Sequence, residues 1–152
     1  MNIHRMWIAL GIILFGTVGI AGIILYSLRA PTFEKRTIRV GGQPIAVDVA
    51  DTPLTRMVGL SGRDTIGADG MLFLFASPGS YGFWMKGMRF PIDIAWIQDD
   101  RVVGVEERVP ASAGWRIMPR FYYPPEPVSA VLELSAGDVK KRGITVGTDV
   151  VL

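Results

Sequence analysis

The chain has 152 residues, of which 49% are hydrophobic, and a formal net charge of +2. It has no cysteine, and its single histidine, His4, lies near the amino terminus. These two facts exclude disulfide bonds, thiolate metal sites, cysteine nucleophiles, a Ser-His-Asp triad and nearly every zinc site from the bulk of the chain. From Thr37 onward there are 12 Lys and Arg residues against 13 Asp and Glu residues, so that part lacks the basic surface of a nucleic-acid-binding domain.

The amino-terminal part predicts a membrane span. No charged residue occurs between Trp7 and Leu28, and about 20 apolar residues are enough for a helix to cross the bilayer core. We therefore predict a tail over residues 1–6, a transmembrane helix over 7–28, a basic juxtamembrane linker over 29–36 and one domain over 37–152. A cleaved signal peptide is the alternative, although Ser27-Leu28-Arg29-Ala30 is a poor cleavage site.

Two signals conflict about the orientation of this span. Arg5 precedes it, whereas Arg29, Lys35 and Arg36 follow it, and the positive-inside bias places such a basic flank in the cytoplasm. A short tail before a first span is instead typical of a signal-anchor with an exported domain. In either orientation the basic flank suits anionic lipid headgroups, so the predicted partner of the amino-terminal segment is the membrane.

The rest of the chain reads as many short strands separated by turns. Residues 71–75 are apolar throughout, which indicates a central strand. The pattern predicts a mainly β fold with two short helices (α+β), in which a small antiparallel sheet curls into a barrel or half-barrel. The predicted strands are residues 37–40, 45–49, 71–75, 81–86, 92–97, 102–109, 128–134 and 148–152.

The first short helix is predicted to begin after Thr52. A hydroxyl side chain followed by Pro53 is a typical helix start. Leu54, Met57 and Val58 then fall at i, i+3 and i+4, which predicts one buried stripe.

The second short helix is predicted after residue 135. Ser135 and Asp138 have the spacing of a capping box. Lys140 and Lys141 suit the negative end of the helix, and Gly143 is expected to end it.

Several motifs, taken together and in order, resemble the DUF192 (UPF0127) family. They are ADTP at 50–53, GLSGR at 59–63, GMLF at 70–73, FWMK at 83–86, PIDIA at 91–95, and LEL at 132–134 with AG at 136–137. The chain departs from the family at Gly87-Met88, where the family usually has Asn-Thr. The resemblance implies a small, mostly β domain that often follows an amino-terminal signal or anchor and faces outside the cytoplasm. It implies no activity, and it favours a single-pass protein of the cell membrane with an extracytoplasmic domain.

Five side chains are the candidate ligand-binding residues: Arg63, Trp84, Lys86, Asp93 and Glu133. Trp84 and Lys86 have the same parity in a strand, so that a ring and a cation can together contact a sugar or an aromatic group. A core tryptophan with a snorkelling lysine is the structural alternative. Arg63 could clamp a carboxylate or a sugar hydroxyl, but a structural bridge to a carboxylate such as Asp93 is the favoured interpretation.

Asp93 and Glu133 each lie in mid-strand between hydrophobic residues. Simple alternation would place both carboxylates in water. The sharper hypothesis brings them into one cleft with Lys86 or Arg63 as counter-charge, where two carboxylates can hydrolyse a glycosidic bond.

A long aromatic segment over residues 110–127 is the remaining feature. It predicts either a stacking surface for a glycan or peptide, or a flap over an open barrel mouth. Its aromatic and interleaved basic residues are Trp115, Arg116, Arg120, Phe121, Tyr122 and Tyr123.

The function expected from these patterns is binding at the cell envelope, with a glycan, a peptide or a protein as partner. A carboxylate-dependent, glycosidase-like hydrolase using Asp93 and Glu133 is the alternative. A structural accessory subunit of an envelope complex is the second alternative. No catalytic residue is identified, and no cofactor, metal ion or nucleic-acid partner is predicted.

Overall fold

The computed structural model describes residues 31–111 and 120–152. The predicted tail and transmembrane helix lie outside these residues, as do Trp115 and Arg116 of the aromatic segment. In the described ranges no helix is long and apolar enough to cross a membrane.

The described residues form short strands and two short helices. β1 begins three residues before the predicted domain boundary, so that Glu34, Lys35 and Arg36 belong to the sheet and not to a linker. In chain order the elements are β1 (Glu34–Val40), β2 (Gln43–Ala50), α1 (Pro53–Val58), β3 (Gly70–Gly79), β4 (Phe83–Trp84), β5 (Ile92–Gln98), β6 (Arg101–Val109), β7 (Phe121–Tyr122), β8 (Val128–Ser135), α2 (Asp138–Lys141) and β9 (Val150–Val151).

Seven of these strands form one curled sheet in the order β6-β5-β8-β3-β2-β1-β9, while β4 and β7 form a separate pair. The sheet curls far enough for Arg101 of β6 to make an isolated bridge with Asp149, next to β9. The predicted mainly β fold with two short helices and a curled sheet is confirmed. The expectation of a purely antiparallel sheet is wrong, because β2 and β3 are parallel. Helix α1 and the loop after it return the chain to the end of the sheet where β2 began, which a parallel pair requires.

The central strands β3, β5 and β8 are buried on both faces, as the apolar strand at residues 71–75 predicted. The inner face carries Ala95 and Ile97 of β5 and packs against residues from α2 and β9. The outer face carries Ile94 and Trp96 of β5 and lies beneath the β4–β7 pair and the loop after α1. Side chains of opposite parity on one strand therefore enter two different cores.

The first helix has the predicted cap but not the predicted buried stripe. Thr52 accepts a hydrogen bond from the backbone of Thr55, in a reciprocal capping box. Leu54 is 53% exposed and Met57 is 67% exposed. The buried residue of this helix is Thr55, and Arg56 donates a hydrogen bond of 2.8 Å to the carbonyl of Leu74 in β3. The side of the helix that faces the sheet therefore carries Thr55 and Arg56 in place of the predicted apolar stripe.

Replacing Met57 with serine should therefore change the free energy of unfolding by less than about 0.5 kcal/mol, as for other surface positions. Leu60, which is buried at the end of the same turn, is the matched core position, and Leu60→Ala should cost about 2–5 kcal/mol. Urea unfolding of both variants measures the difference. An equal decrease in the free energy of unfolding in the two variants would contradict the exposed position of Met57.

Candidate ligand-binding pocket

A pocket of about 480 Å³ lies on the outer face of the sheet. One side is α1 with the loop that follows it, the other is β3 with the segment leading into β4, and Glu133 of β8 forms part of the floor. Its volume falls within the range of small-ligand sites, which is roughly 300–1,000 Å³.

Aromatic rings form the wall of this pocket. Phe83 contacts Phe73 edge to face at 4.9 Å between ring centroids and Trp96 at 5.4 Å. Phe75 and Tyr81 are stacked at 3.6 Å. Because Phe83 and Tyr122 of the β4–β7 pair are cross-strand partners that pack into the outer core, the wall is held by the core beneath it.

The opposite side of the β4–β7 pair presents an exposed aromatic rim, which consists of Trp84, Phe121 and Tyr123. The Trp84 and Phe121 rings stack at 5.6 Å, and Phe121 stacks on Tyr123 at 6.1 Å. Trp84 is 40% exposed and Phe121 is 42% exposed, and both line the pocket. The Nζ atom of Lys86 lies 5.3 Å from the Trp84 ring, so the cation and the ring do share one face.

The loop after α1 is tied to the segment after β4. The hydroxyl of Ser61 donates to the carbonyl of Lys86 at 2.7 Å, and the amide of Gly62 donates to the carbonyl of Gly87 at 2.9 Å. Gly87 has a φ of +72°, a conformation that suits glycine and, among other residues, asparagine. Met88 is buried and lines the pocket, which gives an apolar wall where the family usually has a threonine.

Glu133 is a buried acid in an apolar setting. Its neighbours on the adjacent strands are Met71 and Ile94, both fully buried, while Glu133 itself is 6% exposed. Burial raises the pKa of Glu133 to about 8, because the charged form loses its hydration. The side chain is therefore mostly a neutral carboxylic acid at pH 7.

Arg63 does not join this pocket. Its guanidinium donates to Asp48 at 2.6 Å and lies 4.7 Å from the ring of Phe33. The structural interpretation of Arg63 is supported, but the suggested partner, Asp93, is wrong.

Asp93 lies on the other face of the sheet. Its carboxylate accepts hydrogen bonds from the backbone amides of Arg108, Gly137 and Val139 at 2.8, 2.8 and 2.9 Å. It thereby caps α2 from outside, and the capping box predicted from Ser135 and Asp138 is wrong, because the N-cap Gly137 has no side-chain cap of its own.

The carboxylate pair required for glycoside hydrolysis is therefore not formed. In the pairing of β5 with β8, Asp93 faces Leu134 and Ile94 faces Glu133, so the two acids point to opposite sides of the sheet. Two carboxylates separated in this way cannot flank one glycosidic bond.

Of the five predicted residues, the structure brings Trp84 and Glu133 to one pocket and places Lys86 beside Trp84. Arg63 and Asp93 have structural partners elsewhere. Sequence reasoning missed the aromatic wall, whose signal was the alternate placement of Phe73 and Phe75 along one strand. The missed pocket residues that matter most are Phe73, Phe75, Tyr81, Phe83 and Met88. Phe121, which also lines the pocket, belongs to the aromatic segment that the sequence predicted as a stacking surface or a flap.

Comparison with known proteins places this geometry in a family. The DUF192 profile, described as Uncharacterized ACR, matches residues 36–152. A crystal structure of a candidate transcription regulator from Sinorhizobium meliloti 1021 is 29% identical, with a TM-score of 0.71, and the match covers 80% of this chain and 96% of that one. A crystal structure of a protein of unknown function from Novosphingobium aromaticivorans DSM 12444 is 25% identical, with a TM-score of 0.68, and the match covers 82% of this chain and 94% of that one. No curated protein matches the chain significantly.

Proposed function

We propose that this chain, which belongs to the DUF192 family, is a membrane-anchored, extracytoplasmic binding domain. Its ligand, an envelope glycan or peptide, occupies the pocket on the outer face of the sheet. The observation that carries the proposal is the combination of an aromatic wall, an exposed aromatic rim and one buried polar side chain on the floor. Ligand sites of this kind use apolar walls for affinity and a few polar groups for orientation.

The rim favours a ligand with flat, partly apolar surfaces. Trp84 offers an exposed ring with a cation, Lys86, beside it, and such pairs bind sugars and aromatic groups through stacking and hydrogen bonds. A peptide side chain or a sugar ring on the rim would continue into the pocket, because Trp84 belongs to both.

The location in the cell rests on the sequence. The uncharged stretch between Trp7 and Leu28 is long enough for a membrane anchor. The family resemblance favours export of the domain, against the charge bias of the residues that follow the stretch. Expression with a reporter fused after Leu152 tests the orientation, since a periplasm-active reporter should be active.

A structural accessory role is the second candidate. Met57 of α1 and the rings of Trp84 and Phe121 line the pocket and are exposed. Contiguous exposed apolar side chains are typical of protein interfaces. In this case the occupant of the pocket is a segment of an envelope protein, and crosslinking in cells followed by purification would recover it.

Replacing Trp84 with alanine should weaken binding of envelope glycan fragments or peptides about tenfold, since loss of a stacked ring costs about 1.4 kcal/mol. Calorimetric titration of the full chain measures the affinity. Val146→Ala is the control, because Val146 is exposed but does not line the pocket. If both variants bound as well as the unmodified chain, the pocket would not be the binding site.

A further inference from the structure

We propose that the buried part of the pocket's ligand is a protonated primary amine on an apolar stem, and that this ammonium group pairs with the carboxylate of Glu133. The inference rests on the proposed function, which takes the pocket as a binding site, and it adds the chemical class of the ligand.

The first argument is a contrast between two acids on the same face of the sheet. The strand registers align Asp48, Met71, Glu133 and Ile94 in one row across β2, β3, β8 and β5. Asp48 has its own counter-charge, because Arg63 contacts it at 2.6 Å. Within residues 31–111 and 120–152, no hydrogen bond or ion pair reaches the carboxyl of Glu133, and loss of hydration is the cause of its altered pKa.

The charged and titratable groups around Glu133 are otherwise engaged or have the wrong sign. Arg56 lines the pocket, but its guanidinium donates to two backbone carbonyls and lies over the ring of Phe75. The hydroxyl of Tyr81 donates to the carbonyl of Ser77. Lys86 lies against Trp84 at the rim. Glu106, the partner of Ile94 on β6, is a second acid, so a cation is the group that complements this row.

The walls fit such a cation. The aromatic side chains of Phe73, Phe83 and Trp84 line the pocket, and aromatic rings attract ammonium groups to their faces, most strongly where water is excluded. Met57 and Met88 offer flexible apolar surface for the stem. An anionic ligand group would lose its hydration in this apolar pocket without a free cation beside Glu133 to pair with, and is therefore disfavoured.

The protonation of Glu133 makes the idea testable. With a pKa of about 8, about a tenth of the Glu133 side chains are ionised at pH 7. An amine selects that ionised fraction, so its affinity should rise roughly 50-fold from pH 6 to pH 8 while the amine itself stays protonated. A neutral hydroxyl or carbonyl group that uses the protonated acid as a hydrogen-bond donor should show the opposite trend above pH 8.

NMR titration of the full chain with pentylamine, 1-pentanol and pentanoate at pH 6, 7 and 8 is the experiment. Pentylamine should bind most tightly and show the rise with pH, and Glu133→Gln should remove both the preference and the rise. Glu126→Gln, at an exposed loop position, is the matched control and should change neither. Independently of any variant, saturating pentylamine should lower the titration midpoint of the Glu133 carboxyl by at least one pH unit.

The possible outcomes separate the two proposals. If 1-pentanol binds as tightly as pentylamine at pH 8, or the affinity for pentylamine falls as the pH rises, the amine inference is wrong and the pocket remains a binding site. If none of the three probes perturbs pocket resonances, the amine inference is overturned, whereas the proposed function fails only if glycan fragments and peptides bind Trp84→Ala as tightly as the unmodified chain. Two further probes, Nα-acetyl-lysinamide and pentane-1,5-diamine, are titrated in the same way. Comparing their affinities distinguishes a lysine side chain of a peptide from a free diamine as the source of the ammonium group.

Discussion

Glu133→Gln should become progressively more stable relative to the unmodified chain as the pH rises from 4 to 9, by about 5 kcal/mol in total. The physical reason is that burial raises the pKa of Glu133 from 4.5 to about 8 in the folded chain. Above pH 4.5 the unfolded chain releases this proton while the folded chain keeps it, so ionisation favours unfolding. The contribution of protonated Glu133 to the free energy of unfolding is fully present below pH 4.5 and is lost as the pH rises through 8. Glutamine does not titrate, so the variant shows no such loss.

Urea unfolding of both chains across this pH range, followed by tryptophan fluorescence, measures the difference. Glutamine has nearly the same shape as the protonated acid, so any constant offset from packing cancels when the slopes are compared. Glu126→Gln should run parallel to the unmodified chain, because its side chain is exposed. If the free energy of unfolding of Glu133→Gln changed with pH in the same way as that of the unmodified chain, Glu133 would ionise at its ordinary pKa and the pocket floor would be hydrated.

The strands were largely predictable because each one carries its own pattern. In β5, the alternation of Ile92, Ile94 and Trp96 with intervening residues correctly predicted two faces. The apolar stretch in β3 correctly predicted a central position, between β2 and β8. These features depend on side-chain parity and local hydrophobicity, which a single segment contains.

Whether Asp93 and Glu133 lie on the same face of the sheet could not be predicted in this way. It depends on the register of β5 against β8, which places Ile94 opposite Glu133. A shift of one residue would have placed Asp93 there and put both acids on one face. Register is set by contacts between distant segments, so neither strand alone encodes which core its acid enters.

The short elements were the least predictable. The strand predicted over residues 81–86 is shortened to Phe83 and Trp84 in the structure. Phe121 and Tyr122 pair with it as β7, although two residues are too few to predict a strand there. The start of α1 was predicted correctly, but its buried face was not, because Thr55 and Arg56 face the sheet while Leu54 and Met57 are exposed. The pocket is built mainly from these short elements, and its aromatic wall therefore emerged only from the tertiary structure.

The second large effect is expected at Asp93. Replacing it with alanine should destabilise the fold by about 4 kcal/mol, because three backbone amides lose a charged acceptor and each unpaired buried donor costs about 1–3 kcal/mol. Asp93 is fully buried, so water has poor access to replace the carboxylate. Urea unfolding at pH 7 measures the loss, and hydrogen exchange at the Gly137 and Val139 amides should show that it is concentrated at the start of α2.

Asp64→Ala is the matched control for that experiment. Asp64 also contacts an arginine, Arg89, at 2.6 Å, but its side chain is 82% exposed, and exposed ion pairs contribute at most about 1 kcal/mol. A small loss at Asp64 with a large loss at Asp93 would show that Asp93 stabilises the fold through buried hydrogen bonds to the backbone. If Asp93→Ala lowered the free energy of unfolding no more than Asp64→Ala does, this structural role would be contradicted. Asp93 would then again be a candidate functional residue.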